Sequence, residues 1–231
     1  HRSMTTKGQQ LQCAVTPHDG FIRGQRLLSN TLQILNSVPT HHNPTLSTPS
    51  ALNLDTENLT CSPQNTQDFD GDNIRHIMTF ALNDLPITVL SLPFERHPAT
   101  AAGVFDYSGY GNNGTVNGAV FNGVGGRIGG AYRFDGVDDF IAVADDSSLD
   151  LIYDFSMELW VHFASLSDQM PLLVKNSDVL GVNLTNYGLR TGGSFTGTAP
   201  TELEFVFDTN AVVNTYTTNG TNLQLDQWYH V

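Results

Sequence analysis

Three aspartates alternate with other residues in one short turn, and this spacing suits a cation site. Asp68, Asp70 and Asp72 flank Phe69 and Gly71. A turn with glycine lets backbone oxygens face inward with the carboxylates, and calcium takes roughly six to eight oxygen ligands. The motif lacks the final glutamate of an EF-hand loop, so it predicts a calcium site of another kind. The alternative is a solvated acidic turn.

The segment Phe155–Phe163 carries residues suited to sugar binding. Successive side chains of a β-strand point to opposite faces. One face would be apolar, and the other would hold Glu158, Trp160 and His162. A sugar ring has apolar faces and a polar rim, so its binding needs an exposed aromatic ring beside hydrogen-bonding groups. We therefore predict a carbohydrate-binding surface; the alternative is a tryptophan covered by a neighbouring sheet or loop.

The composition limits the classes of function. The chain has 231 residues, 10 basic and 23 acidic side chains, a formal net charge of −13, and lysine only at Lys7 and Lys175. A nucleic-acid partner is excluded, because neutralising phosphates needs clustered cations. No apolar run approaches the ~18 residues of a membrane span.

The abundance of Asn, Thr and Gly, with little lysine, favours an extracellular or cell-surface location. In an exported protein, Asn-x-Ser/Thr sequons are acceptors for N-glycans, although several would occur by chance in such a composition. The acceptor asparagines are Asn58, Asn113, Asn183 and Asn219.

Short alternating segments between turn residues predict an all-β protein. Gln10–Thr16 and Ser29–Leu35 flank a Pro/Asp/Gly turn and predict a β-hairpin. Further along, Asn73–Leu82 and Ile87–Phe94 predict two strands across an Asn-Asp turn. From about residue 100 onwards, closely spaced strands predict a β-sandwich or jelly roll. These strands are Ala131–Phe134, Phe140–Ala144, Phe155–Phe163, Leu172–Lys175, Leu180–Leu184, Glu202–Phe207, Val212–Tyr216 and Gln227–Val231.

Four motifs follow one another in this last part of the chain. They are Asp106–Thr115 (Asp-x-Ser-Gly, then Asn-Gly-Thr), Gly129–Ile141 (Gly-Gly-Ala-x-x-Phe-Asp-Gly-x-Asp-Asp-Phe-Ile), Ser148–Leu151 with Phe155–Val161, and Trp228–Val231 (Trp-x-His-Val). In this order they resemble laminin-G-like, concanavalin A-like jelly rolls. The resemblance implies a jelly roll over residues 99–231. In that family further strands follow the last motif, which implies that a longer parent chain or a partner supplies them.

The same resemblance implies a second calcium site. Related folds often hold a structural calcium near the first strand of the jelly roll, which nominates Asp106. Further carboxylates follow Phe134, namely Asp135, Asp138 and Asp139. The alternative is that these residues only form turns.

Shorter motifs stand in the first part of the chain. Leu11–Gly20 resembles the late strand and turn of an immunoglobulin-like repeat, whereas Leu59–Cys61 and Asp68–Asp72 resemble the early half of the next repeat. The resemblance implies a late-strand part over residues 1–39 and an early-strand part over residues 40–98, so that partial sandwich segments precede the jelly roll.

This second resemblance also bears on the two cysteines. In the immunoglobulin-like fold, a late-strand cysteine pairs with an early-strand one across the core. The resemblance therefore implies a Cys13–Cys61 disulfide if the two segments pack together or meet between neighbouring subunits. The alternative is two incomplete domains whose cysteines each lack a partner.

The resembled superfamily includes glucanases, which need two carboxylates in a cleft to hydrolyse a glycosidic bond. Glu202 and Glu204 share one face of a strand, but the Glu-x-Asp-x-x-Glu signature is missing. We interpret the pair as an exposed polar face and expect no enzyme.

The expected function is that of a non-catalytic, extracellular structural or adhesive protein. As a subunit of a cell-surface filament or layer, it would assemble by β-strand complementation with copies of itself or with neighbouring repeats of a longer chain. The alternative is a calcium-dependent, carbohydrate-binding adhesin whose partners are glycans.

Overall fold

The computed structural model of the protein describes residues 5–95, 103–179, 182–193, 197–209 and 212–231. The regular structure of these residues consists of nineteen β-strands and one 3-10 helix, Ser147–Leu149, which confirms the predicted all-β class. None of the helical structure in this part of the chain has the length or hydropathy of a membrane-spanning segment. Two compact units are present, the first formed by His1–Pro93 with Asp106–Gly111 and the second by Phe94–Phe105 with Asn112–Val231.

The first unit begins with the predicted β-hairpin. Its strands are β1 (Gln10–Leu11), β2 (Ala14–Val15), β3 (Leu27–Leu28) and β4 (Leu32–Gln33), and β1 pairs with β4 while β2 pairs with β3. The turn is held by Asp19, whose carboxylate accepts hydrogen bonds from the backbone N–H groups of Phe21 and Ile22. These bonds favour the charged form and lower the pKa of Asp19.

Two further ribbons complete the strands of the first unit. The long one pairs β5 (Thr40–Ser47) with β6 (Thr60–Gln67), and the short one pairs β7 (Ala81–Leu82) with β8 (Leu85–Pro86). The short ribbon turns at Asn83 and Asp84, which both have positive φ (51° and 66°), as a type I′ turn requires.

The two strands predicted around this turn are much shorter in the structure. Asn73–Leu82 is a strand only over Ala81–Leu82, and Ile87–Phe94 contains no strand. The local turn was predicted correctly, and one hydrogen bond, from Ile87 N–H to Phe80 O at 2.9 Å, continues beyond the ribbon. Among the described residues, no further strand pairs with the flanking segments. Alternation in the sequence indicates a strand without supplying the neighbour that a strand needs.

The second unit contains eleven strands among its described residues. They are β9 (Gly103–Val104), β10 (Gly114–Asn117), β11 (Val120–Asn122), β12 (Ala131–Arg133), β13 (Phe140–Val143), β14 (Trp160–His162), β15 (Pro171–Val179), β16 (Val182–Thr191), β17 (Leu203–Thr209), β18 (Val212–Thr217) and β19 (Trp228–His230). The sheet orders are β13-β10-β9, β11-β12, β14-β19 and β15-β16-β17-β18. Each strand predicted after residue 130 overlaps an observed one, although residue 180, at the start of one prediction, lies outside the described residues.

The core of the second unit lies where the β14-β19 pair meets the four-stranded sheet. Phe163, Leu203 and Leu223 are buried there. The half-buried apolar side chains around them come from β14, β15, β16, β19 and the adjoining loops. They are Val161, Leu166, Met170, Leu172, Leu189, Tyr229 and Val231. Burial of these side chains fixes which face of the β14-β19 pair points inward.

A buried ion pair lies in the same sheet and corrects one expectation. Glu204 is fully buried, although the sequence predicted an exposed polar face for it. Its Oε2 accepts a hydrogen bond from Arg190 Nε at 2.8 Å, and its Oε1 accepts one from the Thr198 hydroxyl at 2.6 Å. Arg190, its partner on β16, and Thr198 lie against the Glu204 carboxylate and compensate its buried charge.

The 3-10 helix is attached to the sheet by Lys175 and Tyr187. The Lys175 ammonium pairs with Asp150 and, at 3.1 Å, with Asp145, and the Tyr187 hydroxyl donates to Leu149 O at 2.9 Å. Burial opposes the charge of Lys175, but these two carboxylates outweigh it and raise its pKa. Burial also raises the pKa of Tyr187.

Candidate functional site

The outer face of the β14-β19 pair carries four aromatic rings, which we call the aromatic strip: Trp160, His162, Trp228 and His230. In the antiparallel register Trp160 lies opposite His230, and His162 lies opposite Trp228. Their ring centroids are 5.0 Å and 5.3 Å apart respectively. Each tryptophan therefore lies beside an imidazole of the other strand.

The alternation of side chains along both strands places the strip on the surface. Val161 and Tyr229, which pair in the middle of the ribbon, face the core. The strip residues therefore face the opposite way. Trp160 is 47% exposed, and both histidines of the strip are exposed. The predicted sugar surface is thus not covered by a neighbouring sheet at Trp160.

Two charged side chains border the strip. Glu158 Oε2 lies 3.7 Å from His230 Nε2, an ion pair when that histidine is protonated. The Arg127 guanidinium lies over the Trp160 ring, 5.8 Å from its centroid. Arg127 makes no ion pair with any described residue, so its charge and hydrogen-bond donors are open to a ligand.

The sequence identified half of this site. Trp160, Glu158 and His162 were predicted together because they share one strand. Their partners Trp228 and His230 come from β19, almost seventy residues later, and no local pattern places them there. A signal was nevertheless present, because both strands carry the same Trp-x-His motif. Antiparallel pairing of two such motifs brings each tryptophan opposite a histidine.

The acidic turn of the first unit brings its three predicted carboxylates together. One oxygen from each of Asp68, Asp70 and Asp72 lies within 4.8 Å of the others. Protein groups already engage them, because Lys7 pairs with Asp72 and the Ser37 N–H donates to Asp70. The hydrogen bond to Asp72 raises the pKa of Lys7. An ion bound at this turn would have to compete with the ammonium group.

A second group of carboxylates lies in the second unit. Asp135, Asp138 and Asp139 also place one oxygen each within 4.8 Å of one another. Asp135 accepts from the Val137 N–H at 2.8 Å, and Asp139 accepts from the Asp135 N–H at 2.7 Å. No lysine or arginine of the described residues pairs with this group, so it is the better candidate for calcium of the two.

Asp106, the remaining predicted ligand, belongs to the first unit and is 3% exposed. Its Oδ1 accepts hydrogen bonds from the N–H groups of Ser91 and Ser108, each at 2.9 Å. Its Oδ2 accepts from the Ser108 hydroxyl at 2.6 Å. These hydrogen bonds agree with the alternative that Asp106 forms a turn. The role of Asp106 as a calcium ligand stays a prediction.

The two cysteines are free thiols. Cys13 is exposed in the hairpin, and Cys61 is half-buried in β6 opposite Leu46. The two cysteines are not bonded to each other in this structure, and a Cys13–Cys61 disulfide within one chain stays a prediction. A bridge between subunits stays a prediction.

The predicted glycosylation sites differ in what surrounds them. Asn58, Asn113 and Asn219 are exposed, as an acceptor must be. Asn183 lies in β16, where the structure describes the backbone but not the side chain. Attachment of glycans at all four stays a prediction.

The chain matches no known protein family, and no curated protein or solved structure shows significant similarity to it. The resemblances to laminin-G-like and immunoglobulin-like folds therefore rest on the sequence motifs alone.

Proposed function

We propose that the protein is a non-catalytic adhesin of a cell surface whose second unit binds carbohydrate through the aromatic strip. The observation that carries this proposal is the exposure of Trp160, His162 and His230 on the strip, with the half-buried Trp228 beside them. Indole rings offer apolar faces for the C–H face of a sugar, and imidazoles beside them offer hydrogen-bond donors and acceptors for its hydroxyl rim.

The fold part of this proposal is a laminin-G-like jelly roll. It is supported by the positions of the motifs, since Gly129–Ile141 contains β12 and the start of β13, and Trp228–Val231 contains β19. Exposure of three sequon asparagines supports the extracellular location.

A glycan array tests the function directly. The full chain should bind at least one class of glycan, and Trp160→Ala should weaken that binding about tenfold, since it removes a stacking face. Tyr153→Ala is the matched control, because Tyr153 is an 85% exposed aromatic outside the strip. Binding that Trp160→Ala leaves intact would refute the site, and an empty array would refute the function.

Calcium dependence is a separate part of the proposal. It rests on Asp135, Asp138 and Asp139, whose carboxylates converge without a basic partner in the described structure. The same array run with calcium and then with a chelator measures it. Equal binding in the two conditions would remove calcium from the proposal and leave the aromatic strip in place.

Assembly through β-strand addition is the second candidate function. It is favoured by the β5-β6 ribbon, in which two eight-residue strands pair only with each other among the described residues and leave their outer edges open. All of β5 is exposed. An open edge presents unpaired backbone groups that can accept a strand from another copy.

Sedimentation velocity over a wide concentration range tests this assembly. Proline replacing Thr45, an exposed residue of β5, should reduce association because it removes a backbone donor. A non-reducing gel would show whether Cys13 and Cys61 link two copies. A chain that remains monomeric at high concentration would refute this candidate.

A further inference from the structure

Arg127 gives the aromatic strip a chemical preference that the rings alone do not. The chain is strongly acidic, with a net charge of −13 and 10 basic side chains. Even so, the strip borders on an exposed arginine that has no carboxylate partner in the described structure. Nearby Glu158 is directed to His230 instead. The charge that lies over the Trp160 ring is therefore positive.

The geometry points to a carboxylate-bearing sugar, such as a uronic acid unit, as the ligand of the strip; this rests on the proposed carbohydrate-binding function. A guanidinium presents two parallel N–H donors that match the two oxygens of one carboxylate. The Arg127 guanidinium lies over the Trp160 ring, so a sugar would contact the part of the ring that the guanidinium leaves exposed. One contact region thus offers both an apolar face and a bidentate anion site.

The size of the strip fits a short oligosaccharide. Trp160 and Trp228 are diagonal neighbours in the antiparallel pair, a relation in which side chains lie ~7–8 Å apart. The exposed Trp160 and the half-buried Trp228 at this separation span more than one sugar unit. His162 and His230 lie beside them and can contact hydroxyl groups on both units.

Single-stranded nucleic acid is the competing class of ligand, because it also stacks bases on aromatic rings. Such binding relies on a groove with many cations that follow the phosphates. Among the described residues one arginine lies beside the strip, which is too few cations for a run of phosphates. One carboxylate per sugar ring suits a single guanidinium, so the carbohydrate is favoured.

Isothermal titration of the full chain tests the inference with four probes at physiological salt. They are trigalacturonate, its methyl ester, a sulfated disaccharide of heparin type and a ten-residue oligothymidine. We expect trigalacturonate to bind at least tenfold more tightly than its methyl ester, which keeps the rings but lacks the charge. Arg127→Gln should remove this difference, because it weakens the binding of the acid at least tenfold more than the binding of the ester.

Two control variants keep the test specific. Arg133→Gln removes the same charge from an exposed position on β12 and should change neither affinity. Trp160→Ala should weaken both the acid and its ester, and the unchanged fluorescence of Trp228 would show that the fold is kept. Equal weakening of acid and ester by Arg127→Gln would contradict the assigned carboxylate contact.

The outcomes separate this inference from the function on which it rests. Equal affinity for the acid and the ester would overturn the inference while the carbohydrate-binding function stands. Tighter binding of the sulfated sugar would overturn the carboxylate preference, and tighter binding of oligothymidine would overturn the ligand class. Binding of no probe here and of no glycan on the array would overturn both proposals.

Discussion

Replacing Glu204 by glutamine tests how the second unit is held together. The substitution keeps the shape of the side chain but removes the charge that faces Arg190. Breaking a buried ion pair on one side costs about 3–5 kcal/mol, since the other charge stays buried without its partner. The Arg190 side chain is 23% exposed, so water can solvate it in part. We therefore expect a loss of about 2–3 kcal/mol in the free energy of unfolding.

Two further variants show the origin of this loss. Thr198→Val removes the hydroxyl that donates to Glu204 and should cost about 1–2 kcal/mol. The double variant Arg190→Met/Glu204→Leu replaces the pair with apolar side chains of similar size. It should be more stable than Glu204→Gln alone, because no unpaired charge remains in the sheet.

Urea unfolding followed by tryptophan fluorescence is the appropriate assay. Both tryptophans, Trp160 and Trp228, belong to the second unit and report its unfolding. Glu158→Gln is the matched control, since the same chemical change at an 80% exposed side chain should alter stability by less than about 0.5 kcal/mol. A Glu204→Gln loss no larger than this control would refute the reasoning, as would a double variant that is less stable than Glu204→Gln.

Three other perturbations have defined outcomes. The pKa values of Lys175 and Tyr187 are raised in the folded protein, so both groups add stability that is fully present below their ordinary pKa values of 10.5 and 10.0 and is lost as pH rises through the folded values. Alkaline unfolding, followed by tryptophan fluorescence, should therefore start at lower pH in Lys175→Met than in the parent. Lys7→Met, which changes the first unit, should match the parent. Gly118 and Gly136 both have positive φ, but a Cβ at Gly118 would lie 1.8 Å from Asp139 Oδ1 and one at Gly136 would meet nothing within 4 Å. Gly136→Ala should therefore lower the free energy of unfolding by about 1 kcal/mol, and Gly118→Ala should lower it clearly more. Equal urea midpoints for the two variants would contradict the contact with Asp139. If calcium binds the Asp135, Asp138 and Asp139 group, a chelator should lower the melting temperature of the parent but not of Asp138→Asn/Asp139→Asn, and no change in the parent would contradict the site.

Turns and local alternation were predictable from the sequence because short-range chemistry decides them. The Asn83-Asp84 turn is an example, since asparagine and aspartate tolerate the left-handed backbone that a type I′ turn needs. The hairpin around Asp19 is another, because its carboxylate caps the turn that it helps to form. In both cases the residues that determine the structure are adjacent in the chain.

Pairing between distant segments was not predictable in the same way. Alternation assigned Trp160 to a polar face but did not identify β19 as its neighbour, because a strand can pair with any compatible edge. The same limit explains the error at Glu204. The alternation of its strand predicts one exposed polar face, yet Glu204 is buried against Arg190 of the paired strand and Thr198 of a loop, and neither partner is adjacent to it in the chain.

The register of the β14-β19 pair has a consequence for how a chain-like ligand would be oriented. Two Trp-x-His motifs run antiparallel around the Val161–Tyr229 pair, so a half-turn about an axis through that pair exchanges the two tryptophans and the two histidines. The four rings thus form a local pseudo-dyad. A linear polymer would meet nearly the same rings whichever of its ends came first, and two charged groups break this equivalence, Arg127 over Trp160 and Glu158 beside His230.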